Sequence, residues 1–379
     1  MKTIGIICEY NPLHLGHKKQ IDLIRQQHND CGIVCIMSGN YVQRGSPAVF
    51  NRSLRSRAAV LSGADLVLEL PVTVSLSSAE GFAAGGVALL GNFCDELCFG
   101  AETADASALM NTARVLLSDA FSPALRKQLE AGLSFPAARA AALADLGLDS
   151  ILLSQPNNIL AVEYCKAILA QGCGMVPCPI HREGNYHDQH PHAENPSATA
   201  LRQLILSGHD WKSYIPATAQ PVFEGAAIHT LEVGERAILA RLRTMDDAEF
   251  ETLPYGSEGL WRKLMHAARE LATLEQIASA TKSKRYTRSR IDRMILCAFL
   301  GLTRDDIALS PSYARVLALN DKGREILKNA RNTGLFPNIG EKINHPYEAI
   351  EARCDALYGL FAMDAPGGPS INDRIYCHR

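Results

Sequence analysis

His14-Leu15-Gly16-His17 sets two imidazoles three residues apart with a glycine between them. On a helix that spacing is about one turn, so both rings can face one point. Imidazoles donate hydrogen bonds to phosphate oxygens and stabilise charge that grows in a transition state. Gly16 removes a side chain where a base or phosphate must come close. As zinc ligands the pair is short of partners, because such a site needs further donors and only Cys8 and Glu9 lie near in sequence. Four more histidines, His181, His187, His190 and His192, share a polar segment with proline and acidic residues. That segment reads as a solvated loop, and no metal site is expected.

Other residues suit an anion site. Gln43 and Arg44 follow a Gly39-Asn40 turn, and Gly100 follows the apolar run ending at Phe99. Asn157 and Asn158 open a helical stretch, where they can equally serve as caps. Arg182 follows an apolar run and can clamp a phosphate. Ser197, Thr199 and Arg202 cluster at a helix start, a second phosphate cradle.

The elements that must position these groups can be read from apolar patterning. Runs at 3–8, 33–37, 66–70, 97–99 and 175–182 are short and rich in Val, Ile or Leu, and predict strands. Residues 16–28, 52–63, 76–91, 105–119 and 156–171 predict helices between them, and Ser197 and Thr199 begin another over 195–208. Apolar strands alternating with helices predict an α/β fold, a parallel sheet covered on both faces. Ligands of such sheets bind beyond the carboxyl ends of the strands. His14 and His17 fall there, at the first strand-to-helix junction, with Asn11-Pro12 supplying the turn. The first turn of the helix adds free N–H groups and the positive end of its dipole.

Around 209–225 the pattern loses its period and gains prolines. Beyond it, 231–244, 258–278, 287–302, 313–331 and 346–362 predict helices. Two domains are therefore expected, 1–215 and a mainly α-helical 216–379.

A net charge of −2 over 379 residues excludes nucleic-acid binding by bulk charge. Any such site must be local, and one stretch qualifies. Residues 281–293, TKSKRYTRSRIDR, carry Lys282, Lys284, Arg285, Arg288, Arg290 and Arg293 against a single acid, with Tyr286 among them. No signal peptide or membrane span is evident: Glu9 interrupts the first apolar run. The 11 scattered cysteines contain no CxxC pair and read as reduced thiols of a cytoplasmic protein.

Taken together, the strings GIICEYNPLHLGH, MSGNYVQRG, DLVLELP, CFGAE, PNNILAVEY and KSKRYTRSRIDR resemble the bacterial tRNA(Met) cytidine acetate ligase family, over roughly residues 1–300. HxGH followed later by Ser197-Ala198-Thr199-Ala200-Leu201-Arg202 resembles the wider HIGH-type nucleotidyltransferase superfamily. The resemblance implies a Rossmann-like, HUP-type nucleotidyltransferase fold. It implies that acetate and ATP, with Mg²⁺, form acetyl-adenylate, whose acetyl group passes to N4 of the wobble cytidine (position 34) of elongator tRNA(Met). It also implies that the run Ile7, Cys8, Glu9, Tyr10, Asn11, Pro12, Leu13, His14, Leu15, Gly16, His17, Lys18, Lys19 and Gln20 lines ATP. Gly100, one of Asn157 and Asn158, and Arg182 join it, with His14 and His17 catalytic. Ser197, Thr199 and Arg202 remain candidates for phosphate. The basic stretch would grip tRNA, with Tyr286 stacking on a base. The loop at Gln43–Arg44 is expected to cover the reactive adenylate. The alternative is a small-molecule nucleotidyltransferase, or a carboxylate–amine ligase with a small acceptor, on the same fold.

Overall fold

The structure is a computed structural model, and it describes residues 1–182, 197–311, 313–330, 346–364 and 375–378. His187, His190 and His192 lie outside the described residues.

At its centre is a seven-stranded sheet. Across it run Val176–His181, Glu96–Ala101, Lys2–Cys8, Cys31–Ser38, Leu66–Leu70, Val316–Leu319 and Tyr376–Cys377. The first five are mutually parallel. Chain order runs outward from Lys2–Cys8 to Leu66–Leu70 and then jumps back to Glu96–Ala101 on the other side. The order therefore reverses between Lys2–Cys8 and Glu96–Ala101, which opens a crevice at their carboxyl ends.

Alternate side chains feed two cores. Ile4, Ile6, Ile33, Cys35 and Met37 pack with Ile21 and Ile24 of the helix Leu15–Gln27 on one face. Ile7, Val34, Ile36 and Leu68 face the helices Ala79–Leu90, Ala106–Leu116 and Pro156–Gln171 on the other. Every residue of Cys31–Ser38 is buried, as befits a strand covered on both sides. Gly86 permits close packing there: a Cβ would lie 2.6 Å from Ile7 Cδ1.

Past Pro216, helices Leu231–Thr244, Leu260–Glu270, Leu274–Thr281, Arg288–Leu300 and Pro346–Tyr358 share a third apolar core, which also takes in Tyr41, Val72 and Leu76. The helix predicted over 258–278 is thus two helices, broken at 271–273. The helix predicted over 313–331 is corrected as well. Residues Val316–Leu319 form a strand antiparallel to Leu66–Leu70, and the helix begins at Asp321. Four apolar residues carry no period, and the open sheet edge decides their conformation. Helices Phe121–Glu130 and Phe135–Asp145, which the patterning did not single out, pack against each other.

Candidate active site

A cavity of about 550 Å³ occupies the crevice at the reversal point. The chain enters it straight from the first strand. Tyr10 takes a left-handed φ of 45°, uncommon for an aromatic residue. Its hydroxyl meets Cys35 Sγ at 3.5 Å, and its ring lies edge-on to His17, with centroids 4.9 Å apart. His14 caps the helix Leu15–Gln27, and its backbone N–H donates to His17 Nδ1 at 3.3 Å. That bond fixes a tautomer, because a neutral ring accepting at Nδ1 carries its proton on Nε2. The two rings stack with centroids 3.7 Å apart.

Both imidazoles are held neutral. Burial pushes His17 down to about 3, assisted by the Arg182 guanidinium. Burial likewise takes His14 well below the usual range, with His17, Arg182 and Arg202 adding to the effect. Neither ring nitrogen of His14 has a hydrogen-bond partner among the described residues, although the side chain is buried. Buried polar atoms left so are rare, and they mark a place for a ligand.

The surrounding wall carries both cations and apolar side chains. Arg182 donates to Asn157 Oδ1 at 3.2 Å. Arg202 reaches back from the helix Ala198–Leu206 to the Asn11 carbonyl at 2.9 Å and to Thr199 Oγ1 at 3.1 Å. Ser197 caps that helix by accepting the Ala200 N–H. A Cβ at Gly100 would meet only the Arg182 side chain, at 3.9 Å. Glu9, held by the Gln43 N–H, is raised above the ordinary carboxylate range by burial, against the pull of that bond and of Arg202, Arg55 and Arg44.

Of the residues singled out in sequence, the cavity collects Ile7, Cys8, Glu9, Tyr10, Asn11, His14, Gly16, His17, Lys19 and Gln20. Gly100, Asn157, Arg182, Ser197, Thr199 and Arg202 complete the ring, and Gln43 and Arg44 stand at its edge. Five others lie outside the wall. Leu13 is fully buried in the core, and Lys18 pairs with Asp22. Pro12 and Leu15 are likewise absent from the lining. Asn158 is buried as a structural tie, bonding Thr103 and Gln155 while Glu102 takes its N–H, so Asn157 is the member of the pair that faces the cavity.

The basic stretch divides too. Lys282, Lys284 and Arg285 are exposed. Arg285 and Tyr286 both bond Glu258, Arg288 is paired with Glu275 and Asp292, and Arg290 holds the Tyr255 carbonyl. Arg293 is not a surface residue. It is 7% exposed, lies over the Tyr255 ring and donates to the Gln43 carbonyl at 3.2 Å. The charge run hid this, since its helix turns one basic residue inward. Phe82, Phe99, Tyr164 and Ser289 line the cavity without any sequence signal beyond apolar patterning or a lone hydroxyl.

A doubly wound parallel sheet, with HxGH opening the first helix at the point of reversal, defines a nucleotide-binding enzyme that works on phosphate groups. The HIGH nucleotidyl transferase family profile matches residues 1–366. A tRNA(Met) cytidine acetate ligase from Acetivibrio thermocellus is 32% identical over 364 residues, covering 89% of this chain and 88% of that protein. One from Clostridium novyi is 34% identical, covering 89% of each. The crystal structure of Thermotoga maritima TmcAL bound with alpha-thio ATP superposes with a TM-score of 0.90 at 28% identity, over the full length of both chains. The chain belongs to the HIGH nucleotidyl transferase family and, within it, to the tRNA(Met) cytidine acetate ligases.

Proposed function

We propose that the protein joins acetate to ATP as acetyl-adenylate and passes the acetyl group to N4 of the wobble cytidine of elongator tRNA(Met), in the cytoplasm. The observation that carries the adenylation step is the stacked, neutral pair of His14 and His17, in which the buried His14 ring has neither nitrogen partnered among the described residues, set in a crevice that also holds Arg182 and Arg202. An acetate oxygen attacks the α-phosphorus, the bond to the β-phosphate breaks, and pyrophosphate leaves. Protein groups need only position the reactants and neutralise charge. His17 donates through Nε2–H, and Arg182 and Arg202 bring positive charge. Mg²⁺ arrives with ATP and is held by phosphate oxygens and water. The described residues contain no cluster of three or more His, Cys, Asp or Glu side chains able to hold it.

In this reading residues 1–215 are the catalytic unit and 216–379 the tRNA-binding unit, tied to the sheet edge by Val316–Leu319. Ser289, next to the exposed Lys282, Lys284 and Arg285 in sequence, stands in the cavity wall. That favours an RNA acceptor over a small molecule. The loop carrying Gln43 and Arg44 closes the space between them. The test is to incubate the protein with MgATP, acetate and a tRNA(Met) transcript, then digest the RNA to nucleosides. N4-acetylcytidine formed in step with AMP is the expected product; ADP formation or an unmodified transcript would overturn the reading.

A further inference from the structure

We propose that Glu9 is the general base of the transfer step, taking the proton from the exocyclic amine that attacks the acetyl group; this rests on the function proposed above. Three observations support it. First, Glu9 is the only carboxylate lining the cavity among the described residues. Second, its Oε1 accepts the Gln43 N–H at 2.7 Å, while Oε2 carries no hydrogen bond among the described residues and is left to accept a proton. Third, the cavity has two sides. Gly100, Asn157 and Arg182 stand on the side of strands Glu96–Ala101 and Val176–His181. Gln43, Arg44 and Ser289 stand on the side of Cys31–Ser38 and the basic helix. A nucleotide held on the first side leaves the second for the acceptor base, and Glu9 faces that side through its bond to Gln43.

The chemistry needs such a group. The amine of cytosine is conjugated with its ring and is a weak nucleophile. As its nitrogen bonds to the acetyl carbon, the carbon–oxygen bond to the phosphate breaks and AMP leaves with the electron pair. One N–H proton must then depart, and Glu9 receives it. His17 is not suited to this, since burial and Arg182 keep its basicity low. Burial also makes Glu9 a better proton acceptor than an exposed carboxylate.

Glu9→Gln keeps an oxygen for the Gln43 N–H and removes the base. Enzyme, MgATP and labelled acetate are mixed in a single turnover, and the product is collected in two ways. Hydroxylamine, a nucleophile that needs no enzymic base, traps the adenylate as acetohydroxamate. tRNA(Met) collects it by transfer. The ratio of hydroxamate formed to tRNA acetylated is expected to rise at least about 100-fold in Glu9→Gln. Glu9→Asp, which keeps a carboxylate, is expected to recover part of the transfer. Equal losses in both assays would overturn the assignment and place Glu9 in adenylation or folding. Undiminished transfer would overturn it too. Wild-type protein that yields no hydroxamate would instead remove the proposed function, and this assignment with it.

Discussion

Two regions of this molecule bury charge-bearing or polar side chains, and they treat them in opposite ways. At the far side of the sheet, Arg315 meets Glu69 at 2.6 Å, Asp355 at 3.5 Å and Glu351 at 3.7 Å. Arg52 pairs with Asp355 and lies 3.6 Å from Glu69. Asn40 and the Val72 N–H donate to carboxylate oxygens of Asp355 and Glu351. Each charge there has an opposite partner inside the protein. In the crevice, His14 has no partner for either nitrogen among the described residues, and the rings are kept neutral. Charges balanced inside the protein join elements, even where single oxygens such as Glu69 Oε1 and Asp355 Oδ2 accept no hydrogen bond among the described residues; a neutral ring with neither nitrogen partnered awaits a ligand.

Breaking the charge network has the largest expected effect on stability. Arg315→Ala removes the cation shared by Glu69, Asp355 and Glu351 at the junction of Leu66–Leu70, Val316–Leu319 and Pro346–Tyr358, leaving Arg52 alone to face Asp355 and Glu69. A loss of about 3–5 kcal/mol is expected, read from urea unfolding. A change under about 1 kcal/mol would mean the network is looser than its geometry.

Acidity separates the two regions by sign. Burial and the neighbouring Glu69 push Glu351 up to about 8, against the attraction of Arg315. A folded pKa above the unfolded one gives stability that is full at acid pH and is lost as pH rises toward 8. His17 is depressed to about 3, so its contribution is full above the unfolded pKa of about 6.5 and is lost as pH falls toward 3. Glu351→Gln should therefore flatten the alkaline side of the stability profile, and His17→Asn the acid side. Unfolding midpoints from about pH 4 to about pH 9 would show whether each variant acts on its own limb only.

Smaller effects belong to the surface. Replacing Lys282, Lys284 and Arg285 one at a time with Ala should weaken tRNA binding and lower the salt slope by about 1 for each phosphate no longer neutralised. Arg293→Ala should act differently. It removes the donor to the Gln43 carbonyl, so it disturbs the loop over the cavity rather than the salt slope. Equal slopes in all four variants would mean the exposed residues do not hold the RNA.

The sequence was most legible where local chemistry and topology agree. Strand Lys2–Cys8, the HxGH turn and the helix after it follow from apolar runs, a turn dipeptide and position. Arg182 and Arg202 were readable because each follows or opens an element next to the crevice. Tyr164 was not readable: it sits in a helix with no distinct apolar face, and only the packing of Pro156–Gln171 in the fold brings it to the cavity. Val316–Leu319 was hidden because its strand identity comes from Leu66–Leu70, far back in the chain. Arg293 was misplaced because charge runs read as solvated faces, and the Tyr255 ring and Gln43 carbonyl that draw it inward are distant in sequence.

The most direct test of the open crevice is pyrophosphate exchange into ATP, measured with and without acetate for wild type and His17→Ala. Exchange that depends on acetate and falls about 100- to 1,000-fold in the variant is predicted. Exchange indifferent to acetate, or equal in the two proteins, would contradict the assignment of His14 and His17 to carboxylate adenylation.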